Sequence, residues 1–213
     1  VTTITFKGAG STPFQESSNL GSSRECQVEA PGYEMGRSGR AFFAGITLVA
    51  GGVVPVVDLP TTTGPCVLYN ANPSGASNKV LVPKRITAFY ASGTGGAAGF
   101  GLFCGITSGP LATALVANGA TNFRTQGSRG SGTSNAFIDV AKTIPAGTCW
   151  MHLGGIVTLA NTVTGPAYSV DVTALGLVVP STFALVVGVL GDTGTTAKFG
   201  FSIAYDELEA ILP

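Results

Sequence analysis

A chain of 213 residues is long enough for one domain of β-sandwich size, with a core that needs no staples. Only 10% of its residues are charged, against roughly 25% in ordinary soluble domains, so it cannot coat a free globule in the usual way. Its eleven basic and eleven acidic residues cancel, which argues against a bulk electrostatic grip on DNA or RNA and leaves no net repulsion between copies.

Residues 1–40 differ from the rest. They are polar and hold Lys7, Arg24, Arg37 and Arg40 against Glu16, Glu25, Glu29 and Glu34. No sustained period of 2 or 3.6 runs through them, which predicts an extended N-terminal arm. Phe6, Phe14, Tyr33 and Met35 argue against a purely solvated tail, which rarely carries so many large apolar groups.

The body, residues 41–213, has a β texture. AFFAGITLV, VVPVVDL and PCVLYN are short apolar runs broken by Gly or Pro. In KVLVPKRITAFYA, Val80, Val82, Ile86, Ala88 and Tyr90 fall on one side; Lys84 interrupts that side, and Pro83 predicts an edge or a bulge. Phe100, Leu102, Cys104 and Ile106 alternate with Gly99, Gly101, Phe103 and Gly105. The stretch between Asn118 and Asn135 reads as a polar loop carrying Arg124 and Arg129. AFIDVAK, TCWMHLGGIVTL and YSVDV add strands, while FALVVGVL is apolar on both sides and predicts cover from a second sheet and a neighbouring subunit.

Near the end, Phe199, Phe201, Ile203 and Tyr205 alternate with Gly200, Ser202, Ala204 and Asp206, after which DELEAIL reads as briefly helical. NANPSGASN, SGTGGAAG and GDTGTTA are turns. Eight or nine short, evenly spaced strands predict an all-β fold, a jelly-roll-like antiparallel β-sandwich.

Two uncharged stretches, Ile86 to Phe123 and Thr143 to Val170, have the length of a membrane span. Glycine excludes the first as a helix: Gly93, Gly95, Gly96, Gly99 and Gly101 each cost about 1 kcal/mol there. No membrane contact is expected, although a membrane β-barrel is excluded less firmly, by its need for more polar alternation.

Chemistry is sparse. His152 in CWMHL reads as a strand residue on the face of Trp150 rather than a general base, since no GxSxG elbow accompanies it. Neither GxGxxG nor GxxxxGK[ST] occurs. Asp206, Glu207 and Glu209 read as a solvated edge, and GDTGTT as a plain hairpin turn ahead of a weak calcium site. No catalytic residue, metal or cofactor is expected. Cys26, Cys66, Cys104 and Cys149 allow three pairings. Free thiols are favoured, with Cys104 and Cys149 buried in apolar runs. VTTITFKGAG carries no signal pattern and the chain has no Asn-x-Ser/Thr sequon, so synthesis in the cytosol is expected.

PCVLYNANPSGASNKVLVPKRITAFYASGTGG, TIPAGTCW and KFGFSIAYDEL resemble the small β-sandwich virion proteins of tailed bacteriophages, over about two thirds of the chain. The resembling turn is Leu68, Tyr69 and Asn70, with Pro73 displaced by two positions from the family's usual place. The resemblance implies a non-enzymatic capsid cement (decoration) protein on the virion surface, usually a homotrimer, bound to the major capsid protein and not to nucleic acid. On that reading Phe6, Phe14 and Tyr33 anchor the arm, and Arg24, Arg37 and Arg40 orient it. Arg124 and Arg129 would meet partner carboxylates or phosphate. The rivals are a tail-fibre or receptor-binding tip, acting through loops around Asn70–Asn78 and Arg124–Ser134, and a jelly-roll major coat protein of a small icosahedral virus. The coat-protein arm should be basic, whereas this one is balanced.

Overall fold

The computed structural model describes residues 3–6, 14–17, 40–46, 52–74, 78–95, 99–113, 123–127, 133–156, 167–193 and 195–209, with the backbone alone for 3–6, 14–17, 123–127, Thr133 and Ile156. The chain is an all-β antiparallel sandwich. Its strands are β1 (Thr3–Phe6), β2 (Phe14–Ser17), β3 (Ala41–Ile46), β4 (Thr63–Asn70), β5 (Lys79–Ser92), β6 (Phe100–Ile106), β7 (Phe123–Gly127), β8 (Thr133–Thr143), β9 (Met151–Ile156), β10 (Tyr168–Asp171), β11 (Ala184–Leu190) and β12 (Lys198–Glu209).

Eight of these strands form two facing sheets, β3-β12-β5-β10 and β4-β11-β6-β9. The chain crosses from one sheet to the other at every step from β3 to β6 and again from β9 to β12. That is the two-sheet, eight-strand order of a jelly roll. The β7–β8 hairpin is inserted between β6 and β9 and lies between β3 and β4, so hydrogen bonding runs unbroken round one side of the sandwich. The stretch read as a polar loop therefore contains strand, at Phe123–Gly127 and from Thr133 onward. Its Gly- and Ser-rich composition hides a ladder that only pairing with Phe42, Phe43 and β8 supplies. Within the arm, β1 and β2 pair as an antiparallel hairpin, Thr3 opposite Ser17 and Phe6 opposite Phe14.

Period-two alternation builds the core. Ile46, Ile86, Phe199, Phe201 and Ile203 from one sheet meet Leu68, Leu102, Leu185 and Val187 from the other, with Ile138 of β8 beside them, all buried. Phe100 and Phe199 join the sheets edge to face, ring centroids 4.9 Å apart. Burying each such side chain contributes about 1.5–3 kcal/mol.

Three local readings are corrected. VVPVVDL forms no strand of its own; it crosses an end of the sandwich through single bridges, Val53 to Phe199 and Val56 to Leu190. DELE is not helical but the tail of β12, paired with β5 from Asp206–Val82 to Glu209–Lys79. Pro83 does mark a bulge, with Ala204 opposite Arg85 and Tyr205 opposite Pro83. That extra residue reverses the phase of β5. Leu81, Pro83, Ile86 and Ala88 are the buried positions, while Val80 and Val82 are only half-buried.

The other side of the sandwich closes differently. The terminal strands β9 and β10 meet through a side chain: the Tyr168 hydroxyl donates to the Leu153 carbonyl at 3.2 Å. Gly154 makes this possible. Its φ of +130° is a conformation that L side chains rarely adopt, and a Cβ there would collide with the Tyr168 hydroxyl. Gly154→Ala should lower stability by about 1–3 kcal/mol in urea unfolding, and Tyr168→Phe in the same chain should not restore it, because the backbone strain remains.

Candidate interaction surface

The end of the sandwich reached by β4, β5 and β12 is locked by buried polar groups. Asn70, at the end of β4, donates to the carbonyls of Lys79 (2.8 Å) and Val179 (3.0 Å), and its Oδ1 accepts from the backbone N and Nδ2 of Asn72. The Ser181 hydroxyl donates to the Asn72 carbonyl. One side chain thus ties together the β4–β5 turn and the segment before β11. This gives the Leu-Tyr-Asn turn a physical role: Leu68 fills the main core, Tyr69 the opposite face, and Asn70 holds the turn. Asn70→Ala should cost about 2–4 kcal/mol in thermal or urea unfolding, since the Lys79 and Val179 carbonyls each lose a hydrogen bond and the buried Asn72 loses its acceptor.

The acidic tail belongs to the same end and is not a solvated edge. Glu207 is 5% exposed; it accepts from Ser134 Oγ at 2.5 Å and pairs with Lys79 at 3.2 Å. Asp206 is also buried and pairs with Lys84 at 3.2 Å. The Tyr205 hydroxyl donates to Ser134 Oγ, and the Glu207 backbone N donates to the Arg40 carbonyl. These carboxylates clamp β12 to β5, β8 and the exit of the arm. Only Glu209 of the three acids is exposed.

The two outer faces differ. On β4-β11-β6-β9, Val67, Tyr69, Ala184 and Val186, joined by Phe137 of the neighbouring β8, form a second apolar cluster, roofed by Leu111, Ile144 and Trp150. Backbone bonds hold the roof: Leu111 N to Thr182 O, Ile144 N to Thr62 O and Thr107 N to Ala184 O. The two-sided burial read from FALVVGVL is real, but the chain's own loops provide the second cover.

The outer face of β3-β12-β5-β10 has no such roof among the described residues. One row across it is Gly45, Ser202, Thr87 and Ser169, and the next is Phe43, Ala204, Arg85 and Asp171. Thr87 and Ser169 share a hydrogen bond at the surface. Phe43 is 49% exposed, and the Phe89 ring lies over Gly200, where a Cβ would collide with it. The result is a flat, small-residue surface with two phenylalanines and few charges, suited to contact rather than to chemistry.

Of the residues proposed from sequence, Arg40 is exposed at the locked end. Arg124 lies on β7 opposite Phe137 of β8, with its backbone alone described. Phe6 and Phe14 face each other in register across the arm hairpin, again as backbone. Arg24, Tyr33, Arg37 and Arg129 lie outside the described residues. Phe43, Arg85 and Phe89 were missed as surface groups. Their signal was present in parity, since Phe43 alternates with Phe42 and Ala44, and Phe89 with Ala88 and Tyr90.

His152 is exposed on β9, opposite Phe103 in register. Asp192 is used within its own turn, accepting from the Thr193 backbone N at 2.7 Å. Among the described residues no group of three or more His, Cys, Asp or Glu is placed to hold a metal. Cys66, Cys104 and Cys149 are free. Cys66 and Cys104 both lie opposite Val187, two strands apart, so about 10 Å separates them, beyond the reach of a disulfide. Cys149 is exposed, not buried, because the apolar run around it becomes a loop ahead of β9. Cys26 lies outside the described residues.

Comparison with protein-family models, curated proteins and solved structures finds no match to this chain. What can be concluded about function therefore rests on the fold and its surfaces.

Burial raises the Cys104 thiol to about 11 and pushes the Cys66 thiol higher still, with the nearby Asp139 charge adding to the effect at Cys66. Raised thiols hold little thiolate at neutral pH. Iodoacetamide at pH 7.5 should therefore label Cys149 in the native protein and reach Cys66 and Cys104 only after unfolding. Peptide mass mapping checks this.

Proposed function

We propose that this chain is a non-enzymatic structural subunit of a phage particle, a cement protein that reinforces the joints between major capsid subunits. The observation that carries the reading is the contrast between the two outer faces. One is roofed by the chain's own loops, while the other is flat, poor in charge and set with Phe43 and Phe89. A surface of that kind loses little by desolvation. Each apolar Å² buried on it contributes roughly 25 cal/mol, a small gain that becomes large when repeated over a shell.

The arm leaves the body at Arg40, whose carbonyl is held by Glu207. Under this proposal Phe6, Phe14 and Tyr33 anchor the arm on the capsid, and Arg24, Arg37 and Arg40 orient it. Arg124 and Arg129 meet partner carboxylates. Tethering by the arm would raise the effective concentration of the body at its site. The subunit would associate with itself and with the major capsid protein, after synthesis in the host cytoplasm.

A second reading, the coat protein of a small icosahedral virus, is favoured by the complete eight-strand jelly-roll order. The two readings part in experiment. Removal of residues 1–40 should reduce coating of expanded capsids at least tenfold in a sedimentation assay, and equal coating would refute the arm's role. Closed shells formed by the pure protein would place the coat reading first.

A further inference from the structure

The surface carries one patch whose groups complement one another. Arg85 on β5 and Asp171 on β10 lie opposite each other in register and are both exposed. The ion pairs among the described residues are Lys79–Glu207, Lys84–Asp206 and Lys142–Asp139, so Arg85 takes part in none of them. Asp171 accepts from the Thr173 backbone N at 2.8 Å, at the start of the short 3-10 turn Thr173–Leu175. Hydrogen bonding from Thr173, with Arg85 and Lys84 nearby, holds its carboxyl below the usual carboxylate range, so it is charged at neutral pH.

Directly after it come Leu175 and Val178, 41% and 44% exposed. They are two of the six large apolar side chains that stand most exposed among the described residues. Val179 bridges back to Leu81, which holds this segment against the same strand that carries Arg85. An arginine outside these ion pairs and an exposed carboxylate thus lie on the two strands next to a segment that carries two exposed aliphatic side chains.

We propose that the edge formed by β5, β10 and the 3-10 turn docks a second copy of this chain across a two-fold axis. Arg85 of each copy pairs with Asp171 of the other, around Leu175 and Val178. The argument is charge complementarity. An axis running between β5 and β10, parallel to the strands, exchanges the two strands. It therefore sets arginine over aspartate twice and Thr87 over Ser169 twice. Such an interface is isologous and closes on itself. Arginine suits it because its planar fork can take a carboxylate in two hydrogen bonds. A contact of standard size needs about 800 Å² per partner, so these groups form the centre of the interface and neighbouring loops its rim. The contact stands independently of the capsid reading, and it pairs copies whether the repeating unit is one chain or a trimer.

The test is the solution mass of the full chain by sedimentation equilibrium at several concentrations. The wild type should show twice the mass of Arg85→Asp and of Asp171→Arg, while the double charge swap should regain the wild-type mass. Asp171→Arg also removes the hydrogen bond to the Thr173 backbone N, so Val178→Asp provides a second probe at an exposed position and should likewise halve the mass. Circular dichroism melting confirms that each variant is folded. Equal masses for the wild type and the folded Arg85→Asp and Val178→Asp variants would overturn the proposal, as would a folded double swap that stays at half mass. Capsid coating by the unaltered chain, scored apart from its solution mass, keeps this outcome separate from the cement reading, which can hold with the paired contact absent.

Discussion

Strand β11 has no solvated face, and the sandwich is arranged around that constraint. It pairs with β4 on one side and β6 on the other. Leu185, Val187 and Val189 enter the main core, while Ala184 and Val186 enter the second cluster beneath the loops. A strand apolar on both faces needs a sheet on one side and a roof on the other. The opposing sheet supplies the first. The segments around Leu111 and Ile144–Trp150 supply the second, and their backbone bonds to Thr182 and Thr62 fix them there. Gly188 belongs to the same arrangement, because the Phe103 ring occupies the space a Cβ would need, and Phe103 in turn packs edge to face with Trp150.

With the apolar groups placed in this way, the scarce charges have specific work. Lys79–Glu207 and Lys84–Asp206 tie β5 to the tail of β12, across the strip where the β-bulge disturbs the ladder. Asn70 and Ser134 complete the same end through hydrogen bonds to backbone and carboxylate. In both pairs the lysine is exposed and the carboxylate buried, so the net stabilisation is small, but losing the lysine leaves a costly buried charge. Their effect is to hold one register and one exit direction for residues 1–40. The outer face of β3-β12-β5-β10 carries few charges, Arg85 and Asp171 among them, and no roof among the described residues.

Much of the fold was legible in the residues. Alternation in β6, β12 and the second half of β5 located those strands, and Pro83 announced the bulge. The faces were harder to read. A single extra residue at Lys84 reversed the phase, so Val80 and Val82 were assigned to the wrong side. The β7 strand was illegible because a Gly- and Ser-rich segment has no apolar parity, and its strand character comes from the ladder with β3 and β8. Asp206 and Glu207 looked solvated because acids usually are. Only the approach of two lysines from β5 and of Ser134 makes their burial tolerable.

The sequence by itself determined the class of this protein: all β, poor in charge, with a distinctly polar stretch over residues 1–40, since those features follow from composition and period alone. Tertiary structure decided which sheet face is roofed and which is open, that Asn70 is a lock, and that Arg85 and Asp171 stand side by side. These features depend on pairing between residues far apart in the chain, such as the 109 positions between Asn70 and Val179. A local pattern carries no record of which distant strand will arrive beside it, because the choice is made by burial of the whole apolar surface at once.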